Sequence, residues 1–448
     1  DAKIVVDAMF RFERNGGKVD PVWIDPDLAV LALVGEKMKS HPGISGRMFS
    51  ALGRNGINIR AIAQGSSERN ITAIIRKEDL KKALLVLHEE FFEENRRQIN
   101  LFIAGLGNVG SRLLDQLCQQ QQHLKQQMKV DLKIRGIINS RYMLIPDDAL
   151  EAAHWKEQLL EGRKADLQSF LMEMKQTKLH NTVFIDVTAS EEVAGCYESL
   201  LQNSISVVAC NKIACSSTFE KYNRLKEAAR DYGVAFRYET NVGAGLPVIG
   251  TLNDLVRSGD SIQKMEAVLS GTLNYVFNSY DTTRSFASIV REAQEQGYTE
   301  PDPRTDLSGL DVMRKILILV REAGFQMEQE EIQNTPFLPA SCMEGNVEHF
   351  YRKLEEEEAH FSRLYKQASE KNCKLRYVAS FQDGKASAGL QHIRPEQDLY
   401  QLNGKDNVVV FHTNRYHSQP LVIKGAGAGA EVTASGIFGD LMRAGNVI

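Results

Sequence analysis

Ile99-Asn100-Leu101-Phe102-Ile103-Ala104 runs without a break into Gly105-Leu106-Gly107-Asn108-Val109-Gly110, and this stretch decides the fold. Its first half has the length and apolar content of a buried strand. Its second half spaces glycines as Gly105-x-Gly107-x-x-Gly110, which lets the backbone turn tightly and approach a pyrophosphate at the positive end of the next helix. A plain strand–helix turn holding three glycines is the bland alternative. The flanking pattern favours the nucleotide site, because a helix from Ser111 to about Met128 follows the turn. Strands at Val130–Ile138, Val183–Val187 and Ser206–Ala209 come next, the last two reached through helical stretches. This alternation predicts an α/β fold, a Rossmann-type doubly wound parallel sheet over 97–242. The second strand ends at Ile138-Asn139-Ser140-Arg141. NAD-specific sheets usually carry an acid there for the ribose 2′-hydroxyl; with none present and Arg141 at hand, NADP(H) is favoured, with NAD(H) second. The competing reading of Arg141 is a solvated loop charge.

Before this sheet, residues 1 to about 25 read as a helix carrying Ile4, Val5, Ala8, Met9 and Phe12, then a turn at Asn15-Gly16-Gly17. Leu28–Val34 reads as a buried strand, and Ile44–Gly53 as a helix with Met48, Phe49 and Leu52 on one side. Ile57–Ala63 alternates as a half-buried strand, Ile71–Ile75 is another, and Asp79–Phe92 closes as an amphipathic helix. The order strand, helix, strand, strand, helix predicts a compact α+β unit within 1–96. A charged stretch, Glu89–Gln98, separates it from the sheet.

After Gly243 the alternation stops, which predicts a separate α+β domain over 243–419. Ile262–Leu269, Leu375–Phe381 and Val408–His412 read as strands, Phe286–Gln296 and Asp311–Ala323 as helices, and Val347–Lys371 as a solvated helix. Gly425-Ala-Gly-Ala-Gly429 precedes a final helix, so that 420–448 completes the nucleotide fold.

The densest chemistry lies between Gly297 and Lys315. Pro301 and Pro303 fix an extended loop, and Ser308 or Asp306 is placed to cap the helix that follows. Asp311 and Lys315, four apart, share one helical face. On an arbitrary surface helix that pair is an ordinary ion pair. Here Leu310, Met313, Ile316, Leu317, Leu319 and Val320 make most of the circumference apolar, and a lysine held by a carboxylate in a dry cleft suits proton transfer. Glu300 and Asp306 suit a substrate ammonium; a solvated acidic loop is the competing account.

Composition excludes several classes. The chain has 448 residues, 43% hydrophobic and 25% charged, with a net charge of −4 and no basic stripe for nucleic acid. No apolar run approaches membrane-spanning length, and no secretory leader is evident. The six cysteines (Cys118, Cys196, Cys210, Cys215, Cys342, Cys373) lack CxxC spacing, so reduced thiols and a cytoplasmic location are expected. The start at Asp1, without methionine, suggests a piece of a longer polypeptide.

Gly105–Gly110, Asn211-Lys212, Tyr238-Glu-Thr-Asn-Val-Gly-Ala-Gly-Leu-Pro247, Ser270-Gly-Thr-Leu-Asn-Tyr275, Gly297-Tyr-Thr-Glu-Pro-Asp-Pro303 and Asp306-Leu-Ser-Gly-Leu-Asp311 occur in an order that resembles homoserine dehydrogenases, over roughly 98–448. Gly43-Ile-Ser45 and Ile62-Ala-Gln-Gly-Ser-Ser-Glu68 resemble an ACT regulatory domain, with a remnant of a preceding ACT unit at 1–26. The whole order resembles a bifunctional aspartokinase–homoserine dehydrogenase without its kinase domain. The resemblance implies reversible reduction of L-aspartate 4-semialdehyde to L-homoserine. It implies Lys315 as proton donor, Asp311 orienting it and touching substrate, and Glu300, Asp306 and Thr272 holding the substrate. Lys212 would lie beside nicotinamide and substrate, with Asn108, Val109, Thr188, Gly297 and Gly429 as further cofactor contacts. Glu239, Val242, Ala244 and Leu246 match a sodium site, one carboxylate and three carbonyls making a hard oxygen shell; a glycine-rich hinge is the alternative. Where the family often has two successive aspartates before Leu307, this chain has Thr305 and then Asp306. The resemblance also implies a homodimer and a small amino-acid effector such as threonine, bound near Gln64 and the Gly35–Gly46 loop. Two other readings stay open: a non-catalytic regulator that binds nucleotide as a sensor, and an ACT-linked hydroxy-acid dehydrogenase. The latter generally needs a His–acid pair, and no histidine lies in the acid-rich segment.

Overall fold

The computed structural model describes residues 2–20, 23–92 and 97–447. The boundary expected at residue 96, and residues 93–96 of the charged stretch, fall outside these residues. Two compact units emerge: the described residues up to Arg97 with Lys178–His180, and Gln98–Thr177 with the described residues from Asn181 onward.

In the first unit, strands Leu28–Val34, Asn70–Arg76 and Ile59–Gln64 form an antiparallel sheet with the last strand of the chain order in the middle. Helices Ile44–Arg54 and Leu80–Phe91 supply Met48, Leu52, Ala83 and Val86 to a core that also takes Leu31, Leu33, Ile71 and Ile75. Two expectations need correction. Leu28–Val34 is not buried throughout, since Val30 and Val34 are 69% and 70% exposed. Ile59–Gln64 is not half-buried, since it is exposed along nearly its whole length. The reason is shared: the helices cover one face of the sheet, so alternate side chains of an apolar run have nothing to pack on. The leading segment is two helices, Ala2–Met9 and Arg11–Asn15, with Ile4, Met9 and Phe12 largely exposed.

The second unit holds two sheets. The first orders its strands Phe236–Arg237, Ser206–Ala209, Thr182–Asp186, Arg97–Ala104, Val130–Ile138, Tyr142–Leu144, Arg163–Lys164. The strands on the Thr182 side pair in parallel, and the last two add an antiparallel hairpin that the sequence pattern did not announce. Ser206–Ala209 and Thr182–Asp186 are buried at every position, as continuous apolar runs in a two-sided sheet must be. Because the chain moves from Arg97–Ala104 to one neighbour and later to the other, the crevice beyond Ala104 is a topological switch point. Helix Asn108–His123 leaves that crevice and ends in a π turn at Leu124–Met128. The final helix, Ala430–Val447, lies against it; Gln116 donates to Glu431 O at 3.2 Å and Ser435 Oγ at 2.9 Å.

The second sheet orders Gln333–Thr335, Lys385–Ile393, Lys374–Gln382, Ile262–Val268, Asp406–Thr413, Leu421–Ala426, antiparallel except at its first pair. Helix Leu310–Glu322 packs on it, and Ile316, Leu317, Ile318, Leu319 and Val320 are each fully buried. At roughly 1.5–3 kcal/mol per buried side chain of this size, this packing anchors the helix firmly. The stretch expected as one solvated helix is instead two, Val347–Glu356 and Glu358–Ser369, which bury Phe350, Leu354 and Phe361 in the same core.

Candidate active site

The glycine turn closes as its spacing predicts. Gly105 has φ 95° and donates its N–H to Ile138 O at 2.9 Å, tying the turn to the end of the second strand. A Cβ on Gly105 would lie 2.6 Å from Val187 O and 2.9 Å from Thr188 Cγ2; one on Gly110 would lie 2.0 Å from Gly105 O. Those two glycines are therefore demanded by the protein's own packing. A Cβ on Gly107 would meet nothing within 4 Å, so that glycine borders open space in front of the helix N-terminus. Asn108 and Val109 open that helix. At the neighbouring strand end, Asn139 Oδ1 accepts from Arg141 N at 2.8 Å and Tyr142 N at 2.7 Å. That bend presents Ser140 and Arg141 to solvent, and Arg141 makes no ion pair among the described residues.

Lys315 is buried, 8% exposed, and its ammonium donates to Leu269 O at 2.6 Å and pairs with Asp311 Oδ2 at 2.7 Å. Lys212 reaches the other oxygen of Asp311 at 3.5 Å. Three residues nominated from two distant segments thus meet at one carboxylate. Burial would raise the Asp311 carboxyl, but the Lys315 and Lys212 ammoniums outweigh it and hold it below the usual carboxylate range. Its side chain is 45% exposed in the open cleft, where solvent screens part of that pull. Burial lowers Lys315 below the ordinary lysine value, with Asp311 opposing and Lys212 reinforcing the shift.

The helix carrying Asp311 and Lys315 does not begin as expected. Its N-cap is Gly309 at φ 76°, not Ser308 or Asp306. Ser308 Oγ accepts from Leu310 N at 3.3 Å, while Asp306 belongs to a short helix, Arg304–Leu307, in place of the extended loop. Asp306 turns instead toward Glu300 and Thr272. Its Oδ2 accepts from Glu300 N at 2.8 Å, and its Oδ1 accepts from Thr272 Oγ1 at 3.4 Å. Thr272 also donates to Tyr298 O. Burial raises the Asp306 carboxyl, a bond from Glu300 N opposes this, and the charges of Glu300 and Asp311 push it up again. Asp311 is offset by its two lysines, whereas Glu300 and Asp306 make no ion pair among the described residues, so their negative charge suits an incoming ammonium. Gly297, at φ 68°, is explained locally as the residue that stops helix Phe286–Glu295. Gly429, at φ 124°, directly precedes the final helix.

Two further parts of the site carried no side-chain signal in the acid-rich motif. Asp186, fully buried at the end of its strand, accepts from Tyr197 Oη at 2.5 Å, Thr188 N at 2.7 Å and Asn211 Nδ2 at 3.0 Å. It thereby joins the Thr188 turn beside Gly105 to the Asn211-Lys212 turn. An acid terminating an otherwise apolar strand at a switch point was the available clue. The other part is Asn407, which donates to Leu269 O at 3.3 Å, the same oxygen that receives Lys315. A Cβ on Gly427 would fall 2.0 Å from Asn407 Cγ, so the second glycine-rich segment lies directly against this point.

The four residues matched to a cation site share one turn. Glu239 is 4% exposed, and its carboxylate accepts from Ile249 N at 2.6 Å and Gly250 N at 2.8 Å, at the start of helix Val248–Arg257. Leu246 O accepts from Val248 N at 2.9 Å, and Ala244 holds φ 52°. Glu239 therefore works as a helix cap with both oxygens already engaged. Among the described residues no cluster of three His, Cys, Asp or Glu side chains is spaced to hold a metal.

Comparison with known families agrees with this construction. Residues 105–239 match the homoserine dehydrogenase NAD-binding domain and 247–442 match homoserine dehydrogenase. The chain belongs to the homoserine dehydrogenase family. These are NAD(P)-dependent oxidoreductases, and residues 31–91 match an ACT domain in front of the dehydrogenase. The Arabidopsis thaliana chloroplastic bifunctional aspartokinase/homoserine dehydrogenase 1 is 40% identical over 99% of this chain and 49% of its own length. The Haemophilus influenzae bifunctional aspartokinase/homoserine dehydrogenase is 36% identical over 99% of this chain and 54% of its own. The chain thus spans about half the length of the curated relatives it matches. A hyperthermophilic archaeal homoserine dehydrogenase in complex with NADPH shares the fold, with TM-score 0.62 at 23% identity over 78% of this chain and 97% of that one. In this homoserine dehydrogenase Lys212 of the Asn211 turn meets Asp311 and Lys315 of the Leu310–Glu322 helix, and Asp186 ties that turn to Thr188 beside Gly105. No helix among the described residues is long and apolar enough to cross a membrane.

Proposed function

We propose that this homoserine dehydrogenase catalyses the reversible reduction of L-aspartate 4-semialdehyde to L-homoserine. The observation that carries the reading is the buried Lys315 ammonium, held at 2.7 Å from Asp311 and 2.6 Å from Leu269 O. A bound nicotinamide supplies the hydride that the aldehyde carbon accepts. Lys315 gives its proton to the aldehyde oxygen, becomes neutral, and is recharged from solvent. Asp311 fixes the direction of that proton, and Lys212 adds positive charge beside the developing alkoxide. Asp306, Glu300 and Thr272 receive the amino-acid end of the substrate. Gly105, Gly107, Asn108, Val109 and Gly110 take the pyrophosphate, with Thr188, Gly297, Lys212 and Gly429 along the rest of the cofactor.

The exposed Asn139-Ser140-Arg141 bend supports NADP(H) over NAD(H), since a guanidinium there suits a 2′-phosphate. Carbonyls of Val242, Ala244 and Leu246 with Glu239 would form the oxygen shell for sodium. The left-handed Ala244 supports that role, and the engaged carboxylate limits it to the lone pairs left over. We also propose domain limits of 1–96 for the ACT unit, 97–242 with 420–448 for the nucleotide fold and 243–419 for the catalytic part. The packing of the final helix on Asn108–His123 supports the second of these. The six free cysteines support a cytoplasmic location, and a homodimer is expected in solution. The deciding experiment follows reduced-nicotinamide absorbance as homoserine is added with NADP or NAD. Homoserine-dependent reduction that weakens for NADP alone in Arg141→Ala supports the scheme; no reduction with either cofactor overturns it.

A further inference from the structure

We propose that Lys405 binds the α-carboxylate of the substrate. This rests on the function proposed above, in which the substrate is an amino acid whose ammonium meets Asp306 and Glu300. The carboxylate hangs from the same carbon as that ammonium, so the cation that receives it must stand next to the acid pair. The neighbouring cations are nearly all committed. Lys315 and Lys212 both face Asp311. Arg304 is spent on Asp302 and on the carbonyls of Met343, Glu344 and Gly345. Lys405 makes no ion pair among the described residues, and its ammonium lies 4.7 Å from the centre of the Tyr298 ring.

Its placement is built. Helix Gly271–Ser279 carries Asn274 and Asn278 one turn apart. Asn274 Nδ2 donates to Asp406 O at 3.0 Å and Asn278 Nδ2 to Gly404 O at 3.1 Å, which grips the backbone on both sides of Lys405. A Cβ on Gly271 would lie 3.1 Å from Lys405 O and 3.4 Å from Lys405 Cβ, so Lys405 packs against the residue before Thr272. Thr272 in turn bonds Asp306 and Tyr298 O. A half-exposed aromatic face holds an ammonium only loosely, and an arriving carboxylate gives it a stronger, charge-assisted partner.

The test uses Lys405→Met, which keeps the stem and removes the charge, beside Lys405→Arg. Homoserine and aminopropanol, its analogue without the carboxylate, are compared as substrates of the full chain. In Lys405→Met, KM for homoserine should rise on the order of tenfold or more, with KM for NADP unchanged. The preference for homoserine over aminopropanol should fall by the same factor, and Lys405→Arg should restore most of it. A merely structural role would weaken both substrates alike and leave that preference intact, which would overturn the proposal. A raised KM for NADP with homoserine unaffected would also overturn it, assigning the charge to a cofactor phosphate. A wild-type chain that oxidises homoserine beside an unaltered Lys405→Met refutes Lys405 alone, whereas an inactive wild type removes the function as well.

Discussion

In the proposed scheme Lys315 is the proton donor, and its burial fixes how it should respond to substitution and to pH. Lys315→Ala should leave cofactor binding near wild type and lower turnover by ~10²–10⁴-fold. Cofactor fluorescence titration and single-turnover rates separate the two effects; turnover close to wild type would remove its role. Burial lowers the Lys315 pKa, with Asp311 resisting. Aldehyde reduction needs the ammonium, so its rate should fall as pH rises through a midpoint below the ordinary lysine value. Homoserine oxidation needs the neutral amine and should rise over that same range. Opposite slopes in the two pH–rate profiles are the expected outcome, and parallel slopes would contradict it. At this scale much was legible: a lysine and a carboxylate four apart on an apolar helix announce themselves. Leu269 O and Asn407 did not, because a backbone acceptor leaves no trace in side-chain patterns and its partners come from a helix and a strand far apart in sequence.

At the scale of elements, the start of helix Leu310–Glu322 sets where Asp311 and Lys315 point. Gly309 combines φ 76° with a Cβ position only 2.0 Å from Tyr377 Oη, and that hydroxyl donates to Asn334 Oδ1 at 2.8 Å. Gly384 has nearly the same backbone, φ 74°, in an open hairpin with nothing within 4 Å of a Cβ. Gly384→Ala should therefore cost about 1–3 kcal/mol of stability through backbone strain alone and keep its activity. Gly309→Ala should lose at least as much stability and also lose turnover, as the first turn of the catalytic helix shifts. Denaturant unfolding and initial rates of both variants check this, and equal activity in the pair would contradict it. Element boundaries were less legible than element types. Glu355–Glu358 made the 347–371 stretch read as one solvated helix, although Phe350, Leu354 and Phe361 are buried on either side of a break at Glu357. Lys385–Ile393 escaped notice because Ala-Ser-Ala-Gly-Leu lacks the β-branched residues that mark a strand.

On the scale of the whole molecule, the chain carries an ACT domain ahead of the dehydrogenase domains in sequence. The sheet of the first unit brings the C-terminal ends of Leu28–Val34 and Ile59–Gln64 to one edge, since Val34 pairs with Asn70 and Gln64 with Ile71. That places the exposed Gln64 near the loop after Gly35, as the effector site expected at these residues requires. Threonine should slow homoserine oxidation in the wild type and less so in Gln64→Ala, as read from inhibition curves; no response in the wild type would refute regulation by this amino acid. The α/β class and the order of domains were legible because period, glycine spacing and turn chemistry agree. Which sheet faces stay bare was not, because an apolar strand reads the same whether one side or both are covered.

One oxygen ties the buried lysine to the last glycine-rich loop. Leu269 O receives both Lys315 and Asn407, and Asn407 sits hard against Gly427 of the loop that leads into the final helix. The amide therefore stands between that loop and the carbonyl that aims the lysine, so a dinucleotide seated along the loop is expected to bind before the amino acid; product-inhibition patterns showing random order would contradict this.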